Sequence, residues 1–209
     1  MAIILPGNVN TTTGDALTIT SAFGSTVVLR DGFHLLAESP GLLSFNNAID
    51  VNSGSDGHQM ILDGYMGADG DALKLNDTSS HEITIGLNGQ IAAGSDGVAG
   101  SGTDIALTND GAIVAGGSAV ELSGGGATAM SSLGNNGSMT AGLTAIEMAE
   151  GGHVTNNGAI TGRTGVYLGP YNGTDGDSLF ANTGSIQAEF EGVLVEGAGF
   201  AGTNSGSII

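Results

Sequence analysis

One short phrase is written seven times in this chain, and its spacing constrains the fold more than any other feature. In its fullest form the phrase is Asn156-Asn157-Gly158-Ala159-Ile160. Read from its glycine, it recurs at Gly64, Gly89, Gly111, Gly137, Gly158, Gly184 and Gly206, with successive gaps of 25, 22, 26, 21, 26 and 22 residues. Two positions after each glycine stands Met66, Ile91, Ile113, Met139, Ile160, Ile186 or Ile208. Four positions before it stand Met60, Ile85, Leu107, Leu133, Val154 and Phe180, and only Gly202 breaks that column. Two positions before the glycine, asparagine fills five copies: Asn109, Asn135, Asn156, Asn182 and Asn204. A fixed period in the low twenties is the signature of a solenoid, in which each unit buries its apolar side only against its neighbours.

The length of the period selects the kind of solenoid. Leucine-rich and helical repeats need a helix in each unit, and the chain offers no candidate. Three short strands with tight corners fit the period, at about 3.3 Å per strand residue. One strand reads as a small residue followed by apolar, any, apolar. It recurs from Ala16-Leu17-Thr18-Ile19 and Ala48-Ile49-Asp50-Val51 to Ala145-Ile146-Glu147-Met148 and Gly192-Val193-Leu194-Val195. That alternation places one side in and one side out. The fold class is therefore all-β, a single-stranded parallel β-helix with three strands per coil and eight or nine coils. In such a stack Asp50, Lys74, Ala99, Glu121, Glu147, Tyr167 and Leu194 form one outward column. The five asparagines form a second, with their amides hydrogen-bonded along the axis.

Composition fits this reading. Glycine is abundant (39 of 209) and proline rare (3), as expected where tight corners favour positive φ. Acids outnumber bases 21 to 3, for a net charge of −18. Nucleic acid needs a basic footprint and is excluded as a partner. Anionic membrane surfaces are disfavoured, and no apolar run is long enough to span a bilayer. Cysteine is absent, compatible with an exported protein. Met1-Ala2-Ile3-Ile4-Leu5-Pro6 lacks the basic start and length of a secretory signal. The chain is then mature or trimmed, or its export signal lies elsewhere.

The whole chain reads as a single domain, with irregular coils over 1–50 and regular repeats over 51–209. Asp31-Gly32 resembles an eighth corner, but His34 stands where an aliphatic residue is expected. Loosened terminal coils are common in solenoids. His34, His58, His81 and His153 have no partner at ligand spacing and read as isolated side chains.

Two loops share the pattern G-x-D-G-D-x-L, at Gly67-Ala68-Asp69-Gly70-Asp71-Ala72-Leu73 and Gly173-Thr174-Asp175-Gly176-Asp177-Ser178-Leu179. Closely spaced aspartates on a glycine loop suit Ca²⁺, which takes several hard oxygen ligands in a flexible ring. Asp69, Asp71, Asp175 and Asp177 are the metal candidates, and Ca²⁺ is the one cofactor they suggest. The competing reading is ordinary Asp-Gly turn chemistry with acids that keep a solenoid soluble.

The clean coils over about 58–209 resemble the repeats of bacterial autotransporter-like and large adhesin passenger regions. Phrases such as Thr155-Asn156-Asn157-Gly158-Ala159-Ile160-Thr161-Gly162 carry the likeness. It implies a secreted or cell-surface β-helix, with matrix or surface polysaccharide as a conceivable partner. The aspartate loops are distantly similar to calcium-binding repeats-in-toxin units, though they lack the G-G-x-G opening and do not run in tandem. That likeness would imply export by a type I system.

Three functions are weighed. An enzyme acting on polysaccharide would need a placed base or a carboxylate pair. Lys74 and Arg163 stand about four coils apart, Arg30 lies among the irregular coils, and aromatic side chains are few, so the chain reads as non-enzymatic. A stalk segment of a large adhesin is the second reading. The third, favoured here, is a self-assembling filament of the cell surface or biofilm matrix. Its assembly ends are Ile3, Ile4 and Leu5 at one side and Ile208 and Ile209 at the other. Uncovered edge strands recruit further chains, and a head-to-tail contact that does not close gives a filament.

Overall fold

The computed structural model describes residues 2–4, 9–11, 14–20, 25–37, 46–76, 79–124, 130–149, 151–169, 178–196 and 199–209. They form a parallel β-solenoid with three strand-bearing faces. The first face is a nine-stranded sheet: Ala2–Ile4, Thr26–Leu29, Gln59–Leu62, Glu82–Ile85, Ala106–Asn109, Ser131–Asn135, Gly152–Asn156, Ser178–Asn182 and Phe200–Asn204. Strands of the second face begin at Val9, His34, Tyr65, Gln90, Ala112, Ser138, Ala159, Ser185 and Ser207. The third face holds Leu17–Ile19, Ile49–Val51, Leu73–Leu75, Val98–Gly100, Val120–Ser123 and Thr144–Ala149. Second and third faces merge into one sheet because Ala159–Gly169 and Ser185–Val195 run around the corner between them. A register shift between Gly162 and Thr164 makes that bend. Among the described residues there is no helix, and so none long and apolar enough to cross a membrane.

The core is a set of stacked columns. On the second face Leu35, Met66, Ile91, Ile113, Met139, Ile160 and Ile186 are successive register partners, each at most 2% exposed. The third face adds Ile49, Leu73, Val98, Val120, Ile146 and Val166, all fully buried. The small residue before each third-face strand also has a cause. A Cβ on Gly97, Gly165 or Gly192 would come within 2.1–2.5 Å of Ile113, Ile186 or Ile208 in the following coil. At these three corners the glycine thus makes room for the neighbouring coil's large side chain.

Three expectations are corrected. Ile85 does not belong with Met60 and Leu107; that column runs through Ile83. Ile85 stacks between Leu62 and Asn109, because the corner Gly86-Leu87-Asn88 is two residues longer than the corners of the adjoining coils, after Leu62 and Asn109, and pushes Leu87 into solvent. In the coil of Asp31-Gly32 the aliphatic position is filled by Leu35, one residue later than the glycine predicts. His34 then faces outward against the Tyr65 ring, with centroids 5.6 Å apart. Finally, positive φ is not what the repeat glycines supply. Among the described residues it occurs at Gly14, Gly32, Gly54, Gly57, Gly124, Gly151 and Gly199, and at Ser80 and Asp104, none of which is a glycine of the seven repeats. A Cβ at Gly137, Gly158 or Gly184 would lie only 2.0–2.1 Å from the preceding coil's glycine carbonyl. The corners are glycine because stacked backbones approach that closely.

Candidate functional site

The corner between first and second faces carries two hydrogen-bonded ladders. The inner one occupies the column that begins with Leu29, Leu62 and Ile85 and continues as Asn109, Asn135, Asn156, Asn182 and Asn204. Each amide donates to the next: Asn109 Nδ2 to Asn135 Oδ1 at 2.8 Å, Asn135 to Asn156 at 2.8 Å, Asn156 to Asn182 at 2.7 Å and Asn182 to Asn204 at 2.7 Å. Asn109, Asn135, Asn156 and Asn182 are essentially inaccessible to solvent, so each amide dipole lines up with the next in a poorly screened interior. The switch from leucine to asparagine leaves Asn109 Oδ1 buried without a donor.

The outer ladder runs the other way. Thr183 Oγ1 donates to Asn157 Oδ1, Asn157 Nδ2 to Asn136 Oδ1, and Asn136 Nδ2 to the Asp110 carboxylate, at 2.8–2.9 Å. An acceptor-only carboxylate is a natural terminus for such a chain. The sequence reading passed over this ladder, although Asp110, Asn136, Asn157 and Thr183 all stand one residue before the repeat glycine.

The third face carries the acids. Asp50, Lys74, Ala99, Glu121, Glu147, Tyr167 and Leu194 are successive register partners on its outer side. Burial raises the carboxyl pKa of Glu121, and the charges of Asp96, Glu147 and Asp71 add to the effect. Glu147 is raised by burial and then by Asp96. Asp96 is raised mainly by burial too, despite the N–H of Ser118 at 2.6 Å. Asp71, Lys74, Asp96 and Glu121 line a shallow groove of about 220 Å³.

Asp71 has partners for both carboxylate oxygens. Oδ1 accepts the Asp96 N–H at 3.2 Å and Oδ2 pairs with Lys74 at 3.6 Å. It belongs to a series in which Asp15, Asn47, Asp71 and Asp96 each accept the backbone N–H of the next coil. Asp69 shares its loop, whereas Asp175 and Asp177 lie outside the described residues. The two G-x-D-G-D-x-L segments are not equivalent. The first leads into a third-face strand at the buried Leu73, the second into a first-face strand at the exposed Leu179. Among the described residues no group of three or more His, Asp or Glu is arranged to hold a metal ion. Lys74 and Arg163 lie four coils apart along the third face and its corner. Arg163 pairs with Glu189 and covers the Phe190 ring.

Of the residues expected at the ends, Ile3 and Ile4 lie in the strand Ala2–Ile4, which pairs with Thr26–Leu29, and Leu5 lies outside the described residues. Ile208 pairs with Ile186 and is 40% exposed, and Ile209 is 82% exposed. Gly202, the break in the first-face column, is exposed, and a Cβ there would meet the Phe200 ring.

The histidines are not all isolated. His58 and His81 lie one coil apart at the entry to the first face, both 1% exposed. Their rings stack with centroids 5.3 Å apart and 6° between planes. Their separation of 23 residues, one period, was the signal that could have found them. Comparison of the chain with protein-family models, with curated proteins and with solved structures found no match.

Proposed function

We propose that this chain is a non-enzymatic, extracellular structural protein, a β-solenoid rod that builds a bacterial surface or biofilm-matrix filament by head-to-tail stacking. The observation that carries the reading is the sameness of successive coils. Each of the four steps from Asn109 to Asn204 repeats the same strand register and the same amide bond. Such a unit is a template for its own continuation, since an open strand edge and an amide in register set both the position and the rotation of the next coil. The likeness to autotransporter-like and adhesin passenger repeats supports an exported setting, as does a surface with 21 acids and 3 bases.

The next coil can come from another copy or from further residues of the same chain. The first case is the filament and the second the stalk of a large adhesin. Negative-stain microscopy and sedimentation of the purified chain separate them. Filaments that lengthen with concentration, and that disappear in Ile208→Lys/Ile209→Lys, are expected of head-to-tail stacking. A chain that remains monomeric for days at high concentration overturns the filament and leaves the stalk.

A further inference from the structure

His58 and His81 are polar side chains in the core that neither the ladders nor the strand register requires. Each accepts a backbone N–H at Nδ1, from Ser25 to His58 at 2.9 Å and from His58 to His81 at 3.1 Å. Both rings are therefore neutral, with their proton on Nε2. Both Nε2 atoms are buried without a hydrogen-bond partner. Parallel rings 5.3 Å apart present their nitrogens side by side rather than toward a common point, which rules out a metal shared between them, since that needs about 2.0–2.1 Å to each nitrogen.

The two bonds join three successive coils, those that hold Thr26–Leu29, Gln59–Leu62 and Glu82–Ile85. A proton can add only at Nδ1, where it would face the N–H that the lone pair now accepts. It would also place charge in a site whose remaining N–H has no acceptor, beside a second ring poised to do the same. Among the described residues the charged group that acts on both rings is Asp56, and its Oδ1 is engaged by the Ser79 N–H at 2.7 Å. Glu82, next to His81, turns outward to Gln59, and Asp104 takes the Ser80 hydroxyl.

We propose that the His58–His81 stack is an acid-operated latch that holds the coils before Glu82 onto the rest of the solenoid and releases them on protonation. Burial lowers both pKa values, and His81 falls to about 4 with a further contribution from the charge of His58. The sign follows from the open form binding protons more readily than the closed one. Stability is full above the ordinary value of 6.5 and falls as the pH drops from there toward 4. A proton taken up by the open form alone raises its population tenfold per pH unit well below 6.5, so His81 by itself gives roughly 40-fold between pH 6.5 and 4.5.

Hydrogen exchange of the full chain, corrected for the intrinsic pH dependence, tests this. At pH 4.5 residues 26–85 should lose protection at least tenfold relative to pH 7, while residues 131–209 keep theirs. In His58→Asn/His81→Asn the amide oxygen can take the place of Nδ1 as acceptor but does not titrate, so the acid loss should vanish. Unchanged protection of residues 26–85 in the wild type overturns the latch. So does an equal loss in the double variant, which would assign the effect to carboxylates. Should the double variant not fold, ring nitrogen shifts of the wild type decide. The His81 ring must remain neutral with the proton on Nε2 at pH 5.5, and a charged His81 ring there overturns the proposal.

Discussion

Replacing Asn156 by alanine tests whether the inner ladder is a coupled element or an ornament of the corner. Asn156 is fully buried, accepts from Asn135 at 2.8 Å and donates to Asn182 at 2.7 Å. Alanine leaves Asn135 Nδ2 with only a 3.4 Å contact to the Ala159 carbonyl and takes the amide donor from Asn182 Oδ1. A buried polar group without its partner costs about 1–3 kcal/mol, so two such groups give about 2–6 kcal/mol. Asn156→Leu should cost nearly as much. Its shape suits a column that holds Leu29 and Leu62 elsewhere, but it leaves the same two amides stranded. The triple variant Asn135→Leu/Asn156→Leu/Asn182→Leu should cost much less than three single losses, because removing both partners of a bond removes the desolvation penalty with it. Urea unfolding followed by far-UV circular dichroism, with hydrogen exchange over residues 131–209, measures the set. A loss below about 0.5 kcal/mol for Asn156→Ala, or strict additivity across the leucine series, would refute a coupled ladder.

Other outcomes follow from the same geometry. Glu121 and Glu147 have raised pKa values, so their contribution is fully present below the unfolded-state value and lost as pH rises through the folded one; Glu121→Gln should add about 0.2–1 kcal/mol at neutral pH and little at pH 4. Gly158→Ala would place a Cβ 2.0 Å from the Gly137 carbonyl oxygen and should cost at least about 3 kcal/mol, whereas Gly134→Ala, with open space around it, should stay within about 0.5 kcal/mol in the same urea assay. Calcium and magnesium should raise the melting temperature alike and sodium chloride should reproduce much of the effect, because both oxygens of Asp71 are already engaged; a shift selective for calcium and lost in Asp69→Asn/Asp71→Asn would show that the loop rearranges around the ion.

The columns readable in the sequence were those whose spacing is locked to the glycine. Met66 to Ile208, Asn109 to Asn204 and Asp50 to Leu194 stack as their numbers imply. The first two lie within two residues of the glycine, and the third lies ten residues past it in every coil from Lys74 on except that of Tyr167, where it is nine. Reading failed where a corner changed length. Two extra residues after Ile85 moved it by one inward position, and two extra residues between Leu29 and Leu35, one on either side of Gly32, hid the coil of Asp31-Gly32. The glycines themselves were recognised but for the wrong cause, since a clash with the neighbouring coil cannot be seen in a single unit. The histidine stack was missed because it lies outside the glycine phrase, and because contact between coils depends on register rather than on nearness in sequence.

The change from Leu29, Leu62 and Ile85 to five asparagines divides one column into two regimes. Before Asn109 the inner column of the corner is aliphatic, and the buried side-chain links between coils at the entry to the first face include the two imidazole acceptors. From Asn109 onward it is held by amides that do not titrate. Acid therefore acts unequally along the axis. It weakens the histidine coils, whose pKa values are lowered, and relieves the third face around Glu121 and Glu147, whose values are raised. Under the latch and filament proposals the rod opens on acidification at the coils before Glu82, while the asparagine coils, which would template growth, stay closed. The two proposals thus place growth and acid release in different parts of the same solenoid, and a single substitution in either part should leave the other's response unchanged.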